Sequence, residues 1–240
     1  MKCMVGIILG LMLLPLAGCQ SGPTPSSGMS AIRIDVIAEP KAGVKDPSNR
    51  VGVYDTPAKE RGAFERVDYS ALDEIVVWVE PVSSAAGSTA TPLTIDVNAQ
   101  KPAESLGGAV SVGQRLIIQN SGSTAKNFYS VSDGNDFDLG SVPAGGRGEY
   151  TVRSAGLIEV LAASVKEPVA QVYAAPSRWV KLTQSGTTVD FVDLPPGNYK
   201  VMSWHPRLPG TEFAVTLLPN QSTKTSIKVG VNALPKVGPR

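Results

Sequence analysis

The chain has 240 residues, 42% of them hydrophobic, and its 24 glycines and 19 prolines together make up about 18%, which is typical of a globular protein and excludes a collagen-like chain. The 22 basic and 21 acidic side chains leave a net charge of +1, so the chain lacks the basic surplus that nucleic-acid binding requires. One histidine, His205, and two cysteines, Cys3 and Cys19, cannot build a two-histidine metal site, a Cys-His nucleophile pair in the body or an internal disulfide framework.

The N-terminal segment predicts export from the cytoplasm. One lysine precedes an apolar run over residues 4–16, which is too short to cross a bilayer comfortably and is typical of a secretory signal. The run ends in Leu16-Ala17-Gly18-Cys19, which resembles the lipobox of bacterial lipoproteins. The resemblance implies that residues 1–18 are a removed signal peptide and that Cys19 is acylated, so that several acyl chains anchor the protein in a membrane. An ordinary signal peptide with an incidental cysteine is the alternative.

This resemblance also implies a location, and the composition of the following residues predicts a tether. Gln20, in place of Asp, favours the outer membrane of a Gram-negative cell, with the protein in the cell envelope and facing the periplasm. Residues 20–30 are polar and rich in Gly, Ser and Pro, so we expect residues 19–30 to form a flexible tether that follows the lipidated cysteine.

The remaining chain predicts an all-β fold. Residues 32–36 alternate between apolar and polar side chains, as in a half-buried strand, and residues 75–79 form a β-branched run typical of a central strand. Short strands separated by Gly and Pro turns indicate β-sandwiches or barrels. Residues 57–72 are either a short helix or a surface loop. Further strands are predicted at 93–97, 114–119, 148–153, 157–162, 170–174, 179–183, 189–192, 198–204, 212–217 and 225–231.

The middle of the chain resembles the plastocyanin/azurin-like cupredoxins. Asn120, the run Asn127-Phe128-Tyr129-Ser130 and the later Phe137-Asp138-Leu139-Gly140 follow the family frame over residues 110–172. The resemblance implies a cupredoxin-like Greek-key β-sandwich over residues 82–174. The histidine position of the family frame holds Lys126, and the aspartate position holds Gly122.

The family frame also places no copper ligand in this domain. The family motif Cys-x-x-His-x-x-Met falls on Ala163 (or Ala162, one register away), Lys166 and Val169. A blue-copper site needs two imidazoles, a thiolate and usually an axial thioether, whereas protonated lysines repel a cation. We therefore expect no metal and no cofactor at the vacated positions Lys126, Ala163, Lys166 and Val169. A relocated site that uses Met202 and His205 is the competing idea, but residues three apart on a strand point to opposite faces.

The C-terminal part resembles the carboxypeptidase-regulatory-like segment that accompanies such domains in a bacterial subgroup. The similarity rests on Pro195-Pro196-Gly197, Tyr199 and Trp204-His205, where Pro-Pro-Gly predicts a tight turn before a strand. That segment is a small Ig/transthyretin-like β-sandwich. The resemblance implies that residues 31–81 and 175–235 form one discontinuous module, with the cupredoxin-like domain inserted.

Other candidate sites each have a simpler explanation. His205 is a general base or, more simply, a residue that caps a strand end and hydrogen-bonds a backbone carbonyl. The glycine-rich residues 145–148 lack the context of a phosphate loop and predict a hairpin turn. Asp133, Asp136 and Asp138 are expected in a loop, where they could bind calcium weakly, although their spacing differs from that of an EF-hand.

These observations lead to one functional hypothesis and its alternatives. The leading one is a non-catalytic, lipid-anchored envelope protein that binds another protein or a cell-wall component, with no nucleic-acid partner. The alternative is a copper-binding or electron-transfer protein with an atypical or partner-supplied site. An enzyme such as a hydrolase is a weaker hypothesis, because no motif ties a nucleophile to a base.

Overall fold

A computed structural model describes residues 22–40, 69–83, 87, 91–98, 105–163 and 165–233. Its regular structure in these ranges consists of strands and a short 3₁₀-helix at Val231–Ala233, which confirms the all-β class. In the same ranges no helix is long and apolar enough to span a membrane. The predicted signal peptide, Cys19 and most of the segment expected as a helix or loop, residues 57–72, lie outside the described residues.

The described residues form fifteen strands that belong to four sheets. Their bounds are β1 Ser30–Ala38, β2 Ile75–Pro81, β3 Leu93–Asp96, β4 Leu106–Ser111, β5 Arg115–Gln119, β6 Lys126–Ser132, β7 Asn135–Val142, β8 Arg147–Thr151, β9 Gly156–Ala162, β10 Ala170–Ala175, β11 Val180–Thr183, β12 Thr188–Leu194, β13 Gly197–His205, β14 Leu208–Leu217 and β15 Ser222–Val229.

Two of these sheets enclose a first hydrophobic core. A three-stranded sheet has the order β12-β1-β15, and a four-stranded sheet has the order β11-β2-β13-β14. β1 pairs antiparallel with β12 and parallel with β15. The alternation seen in the sequence buries Ile32, Ile34 and Val36, because every second side chain of a strand points to the same face. Residues of this core come from β1, β2 and the chain after residue 188, with Leu72 beside them.

The other two sheets enclose a second core made from the middle of the chain. Their orders are β4-β10-β9-β6-β7 and β3-β5-β8. The core contains Phe128, Leu116, Ile118, Ile158 and Val160, and its buried members lie between residues 95 and 174.

A third cluster joins the two cores. The even-numbered residues of β2, Val76 and Trp78, turn away from the first core and pack against Tyr173 of β10. The ring of Tyr173 stacks on that of Trp204 at 4.3 Å and lies 5.8 Å from that of Trp78. β2 is therefore buried on both faces, which explains why its sequence is continuously apolar instead of alternating.

The segment before β1 lies against the body of the protein. Backbone N–H groups of Ser26 and Gly28 donate to Asp193 Oδ1 (2.7 Å) and Asn220 Oδ1 (2.6 Å), and the carbonyl of Met29 accepts from the N–H of Asn220 (2.6 Å). The sequence predicts a flexible tether over residues 19–30, whereas these hydrogen bonds hold residues 26–29 against the body of the protein.

Candidate functional site

A fully buried amide organises the corner where the resemblance places the copper site. Asn120 directly follows β5, and its side chain is 0% exposed. Its Nδ2 donates to the carbonyls of Thr124 (2.8 Å), Val142 (3.0 Å) and Pro143 (3.2 Å). Because these carbonyls belong to the loop before β6 and to the end of β7, one side chain holds both segments in place.

The hydrogen-bond network continues from this amide to the protein surface. Asn98 Nδ2 donates to Asn120 Oδ1 (3.2 Å), and Lys126 Nζ donates to Asn98 Oδ1 (3.1 Å). The backbone N–H of Gly122 also donates to Asn120 Oδ1 (3.2 Å). A Cβ atom on Gly122 would lie 3.0 Å from Asn98 Oδ1, so a side chain here would crowd the network. We call Asn98, Asn120 and Lys126 the amide–lysine network.

The other vacated positions lie at and after the end of β9. Phe128 pairs with Ala162, and the N–H of Ala163 donates to the carbonyl of Asn127 (3.0 Å), which places Ala163 beside the start of β6. Ala163 and Lys166 are exposed, whereas Val169 is partly buried and packs against the second core.

These side chains do not fit a copper ion. They supply an ammonium group tied to Asn98, a methyl group, a second ammonium group and an isopropyl group, whereas copper takes imidazole, thiolate and thioether ligands. Within the described ranges, no three His, Cys, Asp or Glu side chains are grouped so that they could hold a metal ion.

His205 is buried at the end of β13, with 3% of its surface exposed. Its Nδ1 accepts a hydrogen bond from the N–H of Arg207 (3.1 Å), so the partner is a backbone N–H, where the sequence predicts a carbonyl. Burial lowers the pKa of His205, and the charge of Arg207 lowers it further against the opposing effect of Asp73. Met202 packs into the third cluster, on the face away from the first core.

Two expectations about loops are wrong. Asp136 and Asp138 lie on β7, and Asp138 Oδ1 accepts from the N–H of Gly140 (2.8 Å); only Asp133 lies in a turn. The sequence predicts a hairpin turn at residues 145–148, but Arg147 and Gly148 belong to β8, and residues 143–146 connect β7 of the five-stranded sheet to β8 of the three-stranded sheet. Gly145 N–H donates to the carbonyl of Asn120 (2.7 Å), which adds this turn to the corner around the buried amide.

An open cleft lies beside the Pro-Pro-Gly turn, with a volume of about 370 Å³. Its walls include Trp179, Tyr199 and Pro195, and the hydroxyl of Tyr199 donates to the carbonyl of Pro195 (2.7 Å). The guanidinium of Arg178 lies 4.4 Å from the ring centre of Trp179. The sequence marks the turn and Tyr199, but the cleft also needs Trp179, which comes from the approach to β11 and carries no motif.

Comparison with known proteins gives a partial structural likeness. No protein-family model matches the chain, and no curated protein sequence matches it. Among solved structures, a Cu(I) form of a methionine-to-alanine mutant of amicyanin, a cupredoxin, matches with 19% sequence identity and a TM-score of 0.28. The match covers 43% of this chain and 100% of that chain. A likeness this weak does not define what the chain binds or does.

Proposed function

We propose that the chain is a non-catalytic, lipid-anchored cell-envelope protein in which a cupredoxin-like scaffold acts as a binding or structural module. The observation that supports this most is the amide–lysine network. The side chain at the family's histidine position is Lys126, whose ammonium group donates to Asn98, and Asn98 in turn donates to the buried Asn120. A cationic group held at this place opposes the binding of a metal cation.

We propose two modules, one interrupted by the other. A cupredoxin-like Greek-key sandwich, residues 82–174, is inserted into an Ig/transthyretin-like sandwich made of residues 31–81 and 175–235. The separate membership of the two cores supports this division, because the middle of the chain supplies the second core while both flanks supply the first.

The anchor is proposed at Cys19, with the protein on the outer membrane facing the periplasm of a Gram-negative cell and a protein or cell-wall partner. The lipobox-like Leu16-Ala17-Gly18-Cys19 supports it. Mass spectrometry of the N-terminal peptide should find an acylated Cys19, and Cys19→Ser should leave the membrane fraction. An unmodified Cys19 in membrane-associated protein would contradict the anchor.

Copper titration of the mature protein tests the vacated scaffold directly. We expect no stoichiometric copper by elemental analysis and no intense visible band of the kind that a thiolate-bound blue-copper centre gives. His205→Ala removes the only imidazole of the chain and serves as the matched variant. Tight, stoichiometric copper in the parent that His205→Ala loses would overturn the proposal in favour of a copper-handling protein with a relocated site.

A further inference from the structure

Several turns and the first described residues of the chain lie together at one end of the two sheets that enclose the first core. The turn between β12 and β13 and the turn between β14 and β15 both lie there, since Gly197 pairs with Leu217 and Ser30 pairs with Leu194. β2 ends at the same place, where Pro81 pairs with Tyr199. We call this the turn end.

Residues 22–29 cross the turn end and are held on it. The N–H group of Ser26 donates to Asp193, near the end of β12, and that of Gly28 donates to Asn220, in the turn between β14 and β15. Gly22 lies against the side chain of Ser222, the first residue of β15; a Cβ atom on Gly22 would be 2.5 Å from Ser222 Oγ. The chain therefore lies beside the body from three residues after Cys19, and hydrogen bonds hold it there from Ser26 onward.

This contact sets how far the body can lie from a lipid on Cys19. A chain spans at most about 3.6 Å per residue, so a free segment from Cys19 to Ser30 would reach roughly 40 Å. With Gly22 beside Ser222, the three remaining steps reach at most about 11 Å, and the seven steps from Ser26, whose N–H is bonded to Asp193, reach about 25 Å. The shorter distance is comparable to the depth of the headgroup region, so in this arrangement the turn end lies at the bilayer surface.

The surface of the turn end suits an apolar environment. Leu218 is 51% exposed and Val82 is 61% exposed, and Pro195, Pro196 and Pro219 are exposed beside them. Transfer of exposed leucine and valine side chains from water to the boundary between headgroups and acyl chains lowers the free energy, because apolar surface leaves water.

We propose that the turn end is a membrane-contact surface. Leu218 inserts into the lipid interface, and the acylated Cys19 keeps the turn end facing the membrane. This inference rests on the proposed lipid anchor. A lipid surface is the occupant of the turn end, because the chain that leads to the anchor leaves the body at this end, with Gly22 within about 11 Å of Cys19.

Depth-dependent fluorescence quenching tests the proposal on the acylated, full mature chain. Leu218→Cys carries an environment-sensitive fluorophore, and acylation of Cys19 blocks the other thiol of the mature chain. The protein is reconstituted in vesicles of phosphatidylethanolamine and phosphatidylglycerol that contain lipids with a nitroxide near the headgroup. Ile37→Cys is the matched control, because Ile37 is exposed on β1 roughly 23 Å along the strand from Ser30.

We expect the label at position 218 to be quenched several-fold more strongly than the label at position 37. Insertion of a long Gly-Ser linker after Ser21 should reduce this difference, because the anchor would then no longer confine the turn end. Equal quenching at both positions in protein whose acylation is verified by mass would overturn the membrane-contact surface alone. Lack of acylation would overturn the proposed anchor and this inference together.

Discussion

Replacement of the buried amide at Asn120 should destabilise the second core through its hydrogen bonds. Asn120→Asp keeps the shape of the side chain but removes the two N–H donors that serve the carbonyls of Thr124 and Val142. A buried polar group left without a partner costs about 1–3 kcal/mol, which applies to the buried carbonyl of Val142, whereas the carbonyl of the exposed Thr124 can bond to water. In a protein of this size each kcal/mol lowers the melting temperature by about 2–4 °C.

The sign of the pH dependence gives a second test of the same substitution. Burial among carbonyls should raise the pKa of the introduced carboxyl, so the folded chain takes up a proton more readily than the unfolded chain. Its protonated form can donate one hydrogen bond, and the deficit relative to the parent should shrink as the pH falls from 7 to 5.

Urea unfolding followed by tryptophan fluorescence measures both effects. The matched control is Asn198→Asp, because Asn198 is exposed and its Oδ1 accepts from Thr216 Oγ1 (2.8 Å), a role that a carboxylate can fill. The control should change the free energy of unfolding by less than about 0.5 kcal/mol. An Asn120→Asp variant that unfolds like this control would refute the argument that the amide donors hold the corner.

Substitutions at three further residues test other groups. Because burial and Arg207 lower the pKa of His205, the unfolded chain binds a proton more readily, so stability should fall as the pH drops below 6.5, the ordinary pKa of histidine. His205→Gln should reduce this loss in urea unfolding between pH 7 and 5, and an unchanged slope would count against it. Trp78 Nε1 is buried and has no hydrogen-bond partner among the described residues, so Trp78→Phe should change the unfolding free energy by less than about 1.5 kcal/mol, against about 3–5 kcal/mol for Trp78→Ala. Equal losses in the two variants would contradict this reasoning. The hydrogen bond from Arg33 holds the pKa of Asp190 below 3.8, its ordinary value, so the ion pair stabilises the fold above that pH and is lost in acid. Asp190→Asn should therefore flatten the fall in melting temperature between pH 5 and pH 3, and an unchanged fall would show that this pair does not contribute.

Strands in which apolar side chains alternate or form a continuous run could be predicted from the sequence. Three others, β4, β6 and β7, could not. β6 and β7 bury few large side chains, chiefly Phe128 and Val142; β7 is the edge strand of the five-stranded sheet, and β6 lies between it and β9. The Asp133-Gly134 pair between them is a hairpin signal, with Gly134 at φ +66°, but the polar flanks concealed the strands.

β4 could not be predicted from the sequence for a different reason. Its Gly107-Gly108 pair is a turn signal in the sequence, whereas Gly108 lies within the strand. A Cβ atom on Gly108 would be 2.6 Å from Leu93 Cδ2, so the absent side chain makes room for the leucine. Glycine in a strand often marks such a close approach, and only the three-dimensional neighbour distinguishes it from a turn.

The candidate site was predictable only in part. The resemblance pointed to Lys126 at the vacated histidine position, but no sequence signal pointed to Asn98. Hydrogen bonds between loop amides have no periodicity, and the contact between Asn98 and Asn120 joins residues 22 positions apart. The hydrogen bonds from Ser26 and Gly28 could not be predicted either, because their acceptors, Asp193 and Asn220, lie more than 160 residues away.

The pairing of β1 constrains the order in which the chain can fold. Ile32 pairs with Phe191 on one side and with Thr223 on the other, so both partners are separated from it by more than 150 residues. Contacts of such long range form slowly, since a long loop must close before they are made. As the chain emerges from its N-terminus, the middle of the chain can complete its own core while β1 still lacks both neighbours. Its apolar face and open edges then need protection from aggregation until the last strand arrives.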